Sequence, residues 1–207
     1  MKIRTIFHSY MENKVLYLTI VLISMFAISL VNCLLLTNIY NFTVLEVLLT
    51  VIFAVVAVII VDAILAFIVR WILPKNWFGV SCDIFVPSKK FRNFYEKLGV
   101  KKWKEKVLDL GKLSGFKKNK IVDPKNNEYI GRYILEANYG IAVHISNIIG
   151  GFIICFLQPL YSFNIYLPVA IVNALLNYMS YMVLRYNLPK LKTLYKYNER
   201  FSLSSNN

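Results

Sequence analysis

The side chains of this 207-residue chain that could do chemistry are few, and they stand inside apolar stretches or at their ends. His144 has an unperturbed pKa near 6.5, so either protonation state is open to it. It can move a proton or serve as a structural residue at a helix entrance. Glu136 precedes it by eight residues. That is two helical turns plus about 80°, or about 12 Å, so the two broadly share a face but cannot touch within one straight helix. Arg185 opens the run Arg185-Tyr186-Asn187-Leu188-Pro189-Lys190. Its guanidinium suits a phosphate or carboxylate clamp, or the negative end of a helix dipole. Asp62 lies within an apolar run, about 8 residues or 12 Å from its end. An acid there is costly: it serves a site, partners a buried Arg or His, or is held protonated or hydrogen-bonded as a structural residue. Asn32, Asn147, Asn173 and Asn177 can join helices by hydrogen bonds worth roughly 1 kcal/mol each.

Other chemistries find no residues to carry them. Three cysteines are scattered, two of them (Cys33 and Cys155) inside apolar runs, and Cys82 stands alone. With two histidines and no C-x-x-C, no metal site and no cofactor site is expected. A Gly-rich phosphate loop, a nucleophile elbow and internal repeats are missing from the sequence.

Four apolar blocks must position these residues: Leu16 to Asn38, Val47 to Val69, Ile141 to Leu160 and Ile165 to Leu184. Each is about 20 residues long, enough at about 1.5 Å per residue to cross a hydrocarbon core of about 30 Å. Hydrophobic residues make up 57% of the chain and the mean hydropathy is +0.54, which argues against a soluble domain. The first block follows Lys2, Arg4 and Lys14 as a signal peptide would. It exceeds the usual length of such a region, and no A-x-A-like site closes it, so it reads as a retained helix.

The net charge of +13 is explained by its distribution, with no need for a nucleic-acid partner. Lys2, Arg4 and Lys14 precede the first block, and only Glu46 borders the connection that follows it. From Arg70 to Glu136 sixteen Lys or Arg face seven Asp or Glu. The turn from Tyr161 to Asn164 is uncharged, and Arg185, Lys190, Lys192, Lys196 and Arg200 then face only Glu199. This alternation is the positive-inside pattern. It predicts a multi-pass protein of the cell membrane with both termini and the long loop in the cytoplasm. Membrane lipids are the expected partners, with anionic headgroups holding the loop at roughly 1 kcal/mol per well-placed cation. The predicted fold is an all-α membrane protein of four transmembrane helices, with a basic, partly helical cytoplasmic loop between the second and third. Its parts are an N-terminal hairpin (1–73), a basic amphipathic region (74–140), a C-terminal hairpin (141–184) and a basic tail (185–207).

Within the loop, Pro74 should end the second span, with Trp77 and Phe78 at the membrane interface. Ser88 could cap a helix carrying Phe91, Phe94, Tyr95 and Leu98, broken at Gly99. Val100, Trp103, Val107 and Leu110 form a second stripe among Lys101, Lys102, Lys104 and Lys106. Such a helix either lies in the interface or caps the bundle. Lys112 to Lys120 reads as a loose basic loop. A new helix should begin near Asp123-Pro124 and run into the third span. Gly150-Gly151 allow a close contact or a kink, Pro159 should end that span, and Pro168 falls in the first turn of the fourth.

Three stretches together resemble one family. Tyr95-Glu96-Lys97-Leu98-Gly99-Val100-Lys101-Lys102-Trp103-Lys104-Glu105-Lys106 resembles Y-E-K-L-G-I-K-x-W-K-x-K. Glu136 and His144 resemble the outer positions of E-T-x-R-x-E-x-x-H-W. Asn177 with Arg185 to Lys190 resembles N-x-P…Q-R-Y-N-R-P-R. In this order they are similar to the glycosyl-4,4'-diaponeurosporenoate acyltransferases of staphyloxanthin-type carotenoid synthesis, over roughly Pro74 to Leu191. The resemblance implies transfer of a fatty acyl chain, from acyl-CoA or an acyl carrier, to a sugar hydroxyl on a membrane-embedded lipid. His144 would then be the general base, with Glu136 beside it in the motif. Trp103, Lys104, Lys106, Arg185, Tyr186 and Asn187 would bind substrate. The family's Thr, Arg, second Glu and Trp are here Ala137, Tyr139, Ile141 and Ile145, and its Gln and second Arg are Leu184 and Leu188. Either another group, with Asp62, Glu136 or Tyr139 as candidates, orients His144 in place of that second Glu, or the chemistry is altered or lost. The alternatives are a non-catalytic membrane scaffold of the same fold and, as the weakest fit, a transporter.

Overall fold

The computed structural model describes residues 2–40, 42–107, 121, 123–158 and 161–205, and all regular structure among them is helical. In order these are α1 (Lys2–Tyr40), α2 (Val44–Phe67), α3 (Lys89–Lys97), α4 (Val100–Trp103), α5 (Asn127–Gly150) and α6 (Leu167–Ser205). Four stretches, Val15–Thr37, Val44–Ile72, Asn127–Phe156 and Phe163–Phe201, are long and apolar enough to cross a bilayer. The chain is an all-helical membrane protein.

It forms two compact units, one of Met1–Ile68 with Ile145–Tyr178, the other of Val69–His144 with Met179–Asn207. In the first, α2 begins at a reciprocal cap. The Thr43 hydroxyl accepts from the Glu46 backbone N–H at 3.2 Å, and Glu46 accepts from the Thr43 N–H at 2.7 Å. Val47, Val51, Ala54 and Val58 recur at spacings of four and three and are buried. Leu45, Leu49, Ile52, Phe53, Ile59 and Ile60 point outward although apolar. A helix apolar on every face, buried along one stripe only, is suited to lipid on its remaining sides. The stripe packs with Leu36, Ile154, Ile165, Tyr166, Val169 and Ala170 into one core.

Polar bonds pin this core at intervals. Asn32, 2% exposed, donates to the Ile28 and Asn164 carbonyls at 2.7 and 2.8 Å, tying α1 to the wide turn (Ser162–Tyr166) ahead of α6. Asp62 accepts from Asn173 and from Asn177, both at 3.1 Å, and Asn147 donates to Asn177 at 3.4 Å. These amides are the polar partners of Asp62, where an Arg or His was the sequence alternative. Of the close contact or kink expected at the glycine pair, the close contact is present. The helix tightens to 3₁₀ over Gly151–Phe156, and a Cβ on Gly151 would lie 2.8 Å from the Asn173 amide nitrogen.

Several boundaries differ from the sequence reading. The third spanning helix begins at Asn127, capped by the Asn126 side chain accepting from the Tyr129 N–H at 3.0 Å. Pro124 lies in the preceding turn, not in the helix. The fourth continues through Pro189 to Ser205, so Arg185 to Lys190 are mid-helix and Arg185 has no helix terminus to complement. The helix starting at Val100 ends after one turn at Trp103, followed by a 3₁₀ turn at Lys104–Lys106. Leu110, the loop from Lys112 to Lys120, and Pro159 lie outside the described residues.

Candidate functional site

The candidate residues of the second unit are placed by the segment from Val69 to Val86 and by the inner faces of α5 and α6. The end of α2 widens into a π turn over Ile68–Ile72, which Pro74 prevents from continuing as a helix. Such turns recur at functional positions, and this one carries Arg70. Its Nη2 donates to both oxygens of Glu136, at 2.8 and 2.6 Å. Glu136 is 7% exposed, so the cation offsets the cost of a buried carboxylate. The Arg70 guanidinium also stands over the Tyr139 ring, 5.7 Å from its centroid.

Tyr139 continues the contact chain. Its ring lies 4.4 Å from Phe78, which stacks on Phe85 at 6.4 Å. Phe78, 4% exposed, is therefore an inward residue, and only Trp77 of the aromatic pair is exposed as an interface residue would be. Leu135, Ala142 and Val143 of α5 pack against this cluster. His144 follows directly on the same helix and is half-buried. Ile141 is completely buried.

The 79–86 loop is strapped from both helices. Asn138 donates to the Phe78 carbonyl at 2.8 Å and the Gly79 carbonyl at 3.3 Å. Lys192, 8% exposed, donates to the Cys82 carbonyl and to Asp83. That bond and the ammonium charge hold the Asp83 carboxyl below the usual carboxylate range. Arg185 donates through Nε to the Phe85 carbonyl at 3.0 Å and through Nη1 to the Tyr181 hydroxyl. Its guanidinium lies 5.3 Å from the Phe91 ring. Among the described residues Nη2 of Arg185 has no protein acceptor.

α3 and α4 dock on α6 through Tyr95, Val100, Met182 and Tyr186, with Trp103 against them. Gly99 makes the sharp corner between the two helices with φ 67, a backbone conformation suited to glycine. The Trp103 ring N–H is anchored on the Leu98 carbonyl at 3.1 Å. Of the first aromatic stripe only Tyr95 is buried; Phe91, Phe94 and Leu98 are exposed. Ser88 occupies the cap position of α3 but makes no side-chain capping bond. Lys104 is half-buried, Lys106 exposed, Asn187 half-buried and Tyr186 buried beneath the Lys190 ammonium at 5.0 Å. Asp62 belongs to the other unit.

An all-helical membrane chain with a strapped loop and an amphipathic helix pair on its last helix is thereby defined. Residues 74–197, more than half of the chain, match the glycosyl-4,4'-diaponeurosporenoate acyltransferase (CrtO) family, and the chain belongs to that family. No match was found with curated proteins or with solved structures. Arg70, which precedes the matched segment, escaped the sequence reading. The family motif carries an Arg three residues after its first Glu; here that residue is Tyr139, and Arg70 brings a guanidinium from another helix to Glu136 and over the Tyr139 ring. Lys192 was missed as well, since a lysine in a basic stretch gives no sign of being buried.

Proposed function

We propose that the chain is a membrane acyltransferase that moves a fatty acyl group onto a hydroxyl of a membrane-embedded glycolipid such as a glycosylated carotenoid. The observation that carries this reading is convergence within one unit. Residues of the three stretches, Glu136, Arg185 and Tyr95, are linked there by contacts that run from Glu136 through Arg70, Tyr139 and Phe78 to Phe85, whose backbone carbonyl accepts from Arg185, and on through Phe91 to Tyr95. In this reading His144 takes the proton of the acceptor hydroxyl as its oxygen attacks the carbonyl of an acyl thioester. The thiolate of an acyl-CoA or acyl-carrier donor leaves and receives that proton. A base so placed is worth roughly 10²–10⁴ in rate. The free Nη2 of Arg185, with Lys104 or Lys106, meets donor phosphates or the developing oxyanion. Glu136 acts through Arg70, and Asp62 with its amides holds helices together. The basic loop and both termini face the cytoplasm, where such donors are found.

A non-catalytic scaffold is favoured by one observation: the family's second glutamate is here a fully buried isoleucine, Ile141. Acyl transfer by the purified chain in nanodiscs separates the two readings. Acyl transfer should be present in the wild type and fall at least about a hundredfold in His144→Gln, which keeps a polar side chain without the basic nitrogen. An inactive wild type would leave the scaffold, and an active His144→Gln would dismiss His144 as the base.

A further inference from the structure

A half-open groove of about 450 Å³ runs between α3 and α6 in the second unit. Its walls are Arg92 and Glu96 from α3 and Tyr186, Pro189, Lys190 and Tyr197 from α6. Two of the family-like stretches meet here, Glu96 from the first and Tyr186 to Lys190 from the last. The volume is within the range of small-molecule sites, about 300–1,000 Å³.

Its chemistry is mixed. Arg92, Lys190 and Glu96 make no ion pair with one another or with any other described residue. Arg92 and Glu96 are one turn apart on α3 and both exposed, with charged heads that can turn into the groove. Lys190 stands over the buried Tyr186 ring, and Thr193 on the same wall donates its hydroxyl to the Pro189 carbonyl at 2.9 Å, keeping its oxygen as an acceptor. Tyr197, 64% exposed, offers an aromatic face with no ring partner among the described residues.

A phosphate would find two cations but also the uncompensated carboxylate of Glu96 facing it. A polyol suits all of these groups, since each hydroxyl both donates and accepts. Charged donors and a charged acceptor then make stronger bonds than neutral ones would. The open aromatic face suits the C–H face of a sugar ring. We propose that this groove binds the neutral sugar headgroup of a glycolipid, with Arg92 and Lys190 donating to ring hydroxyls, Glu96 accepting from them and Tyr197 packing on the ring. This deepens the acyltransfer reading by giving its acceptor a seat, and it rests on that reading only for the consequence of binding.

The test is binding by the full chain in nanodiscs of uncharged lipid, using a short-chain alkyl glucoside as probe. The alkyl phosphate and the alkyl alcohol of the same chain length serve as comparisons. The glucoside should bind more tightly than either. Glu96→Gln and Arg92→Gln should each weaken it about tenfold, Tyr197→Ala should weaken it too, and Tyr197→Phe should retain it. The sign at Glu96 is decisive: relief of repulsion would make Glu96→Gln bind the alkyl phosphate more tightly, and a phosphate preferred to glucoside would overturn the proposal. Equal binding of all three probes would also overturn it, by reducing the groove to an apolar slot. Because the variants are at exposed side chains, loss of fold is not the expected cause of weakened binding, and retention by Tyr197→Phe checks this. Glucoside binding without acyl transfer would sink the proposed activity and leave this inference standing. Acyl transfer whose acceptor KM ignores Glu96→Gln and Tyr197→Ala would do the reverse.

Discussion

The Arg70 guanidinium holds both oxygens of Glu136, whose side chain is buried. Arg70→Met should therefore cost about 3 kcal/mol of stability in detergent, by taking this cation away from a buried carboxylate. The double change Arg70→Met with Glu136→Met should recover most of the loss, because the pair is coupled. Additive losses in thermal unfolding would show that the two side chains do not depend on each other. Ile141 makes the converse point. A glutamate restored there would enter a fully buried site, so Ile141→Glu should destabilise the chain markedly while Ile141→Val costs only about 1 kcal/mol. Glu136, His144 and Asp62 were legible in the sequence because ionisable groups stand out against apolar surroundings. Arg70 was not, since the positive-inside pattern accounts for a cation at a span's end, and 66 residues separate it from its partner.

Among the elements, the 79–86 loop depends on three side chains reaching its carbonyls. Asp83 is the titratable member, and the hydrogen bond and charge of Lys192 hold its folded pKa below the usual carboxylate range. A depressed carboxylate contributes stability above its unfolded pKa of about 3.9 and loses it as pH falls through the folded value. Amide exchange of the loop should accordingly quicken below about pH 4 in the wild type, and Asp83→Asn should abolish that step. A wild-type loop indifferent to acid would refute the strap. In the membrane-spanning core, Gly151→Ala would press on the Asn173 amide at 2.8 Å. That amide is committed to Asp62, so a stability loss of about 1–3 kcal/mol is expected. The length of α6 was underestimated from sequence because Pro189 and the cations read as an exit. Leu188, Leu191 and Lys192 are all buried beyond the supposed end, and this packing carries the helix past its proline.

At the scale of the whole molecule, the four spans were plain in the sequence, since apolar length is what a bilayer demands of a helix. The division into two units was not, because it cuts α5 and α6 in mid-course, where no change of composition marks it. The charge alternation further predicts orientation: a reporter active only in the cytoplasm should respond at the C-terminus and within Lys112 to Lys120, and stay silent at Asn41. Signal at Asn41 would contradict the four-span arrangement.

Membership of an acyltransferase family and a half-buried His144 come together in one measurement. Lipid extracts from cells supplied with a glycosylated polyene and expressing the wild type, His144→Gln or neither would be compared by mass spectrometry. An acylated glycolipid should accumulate with the wild type alone, while His144→Gln reaches the membrane in equal amount. Equal product from His144→Gln, or no acylated glycolipid from the wild type, would contradict the proposed activity.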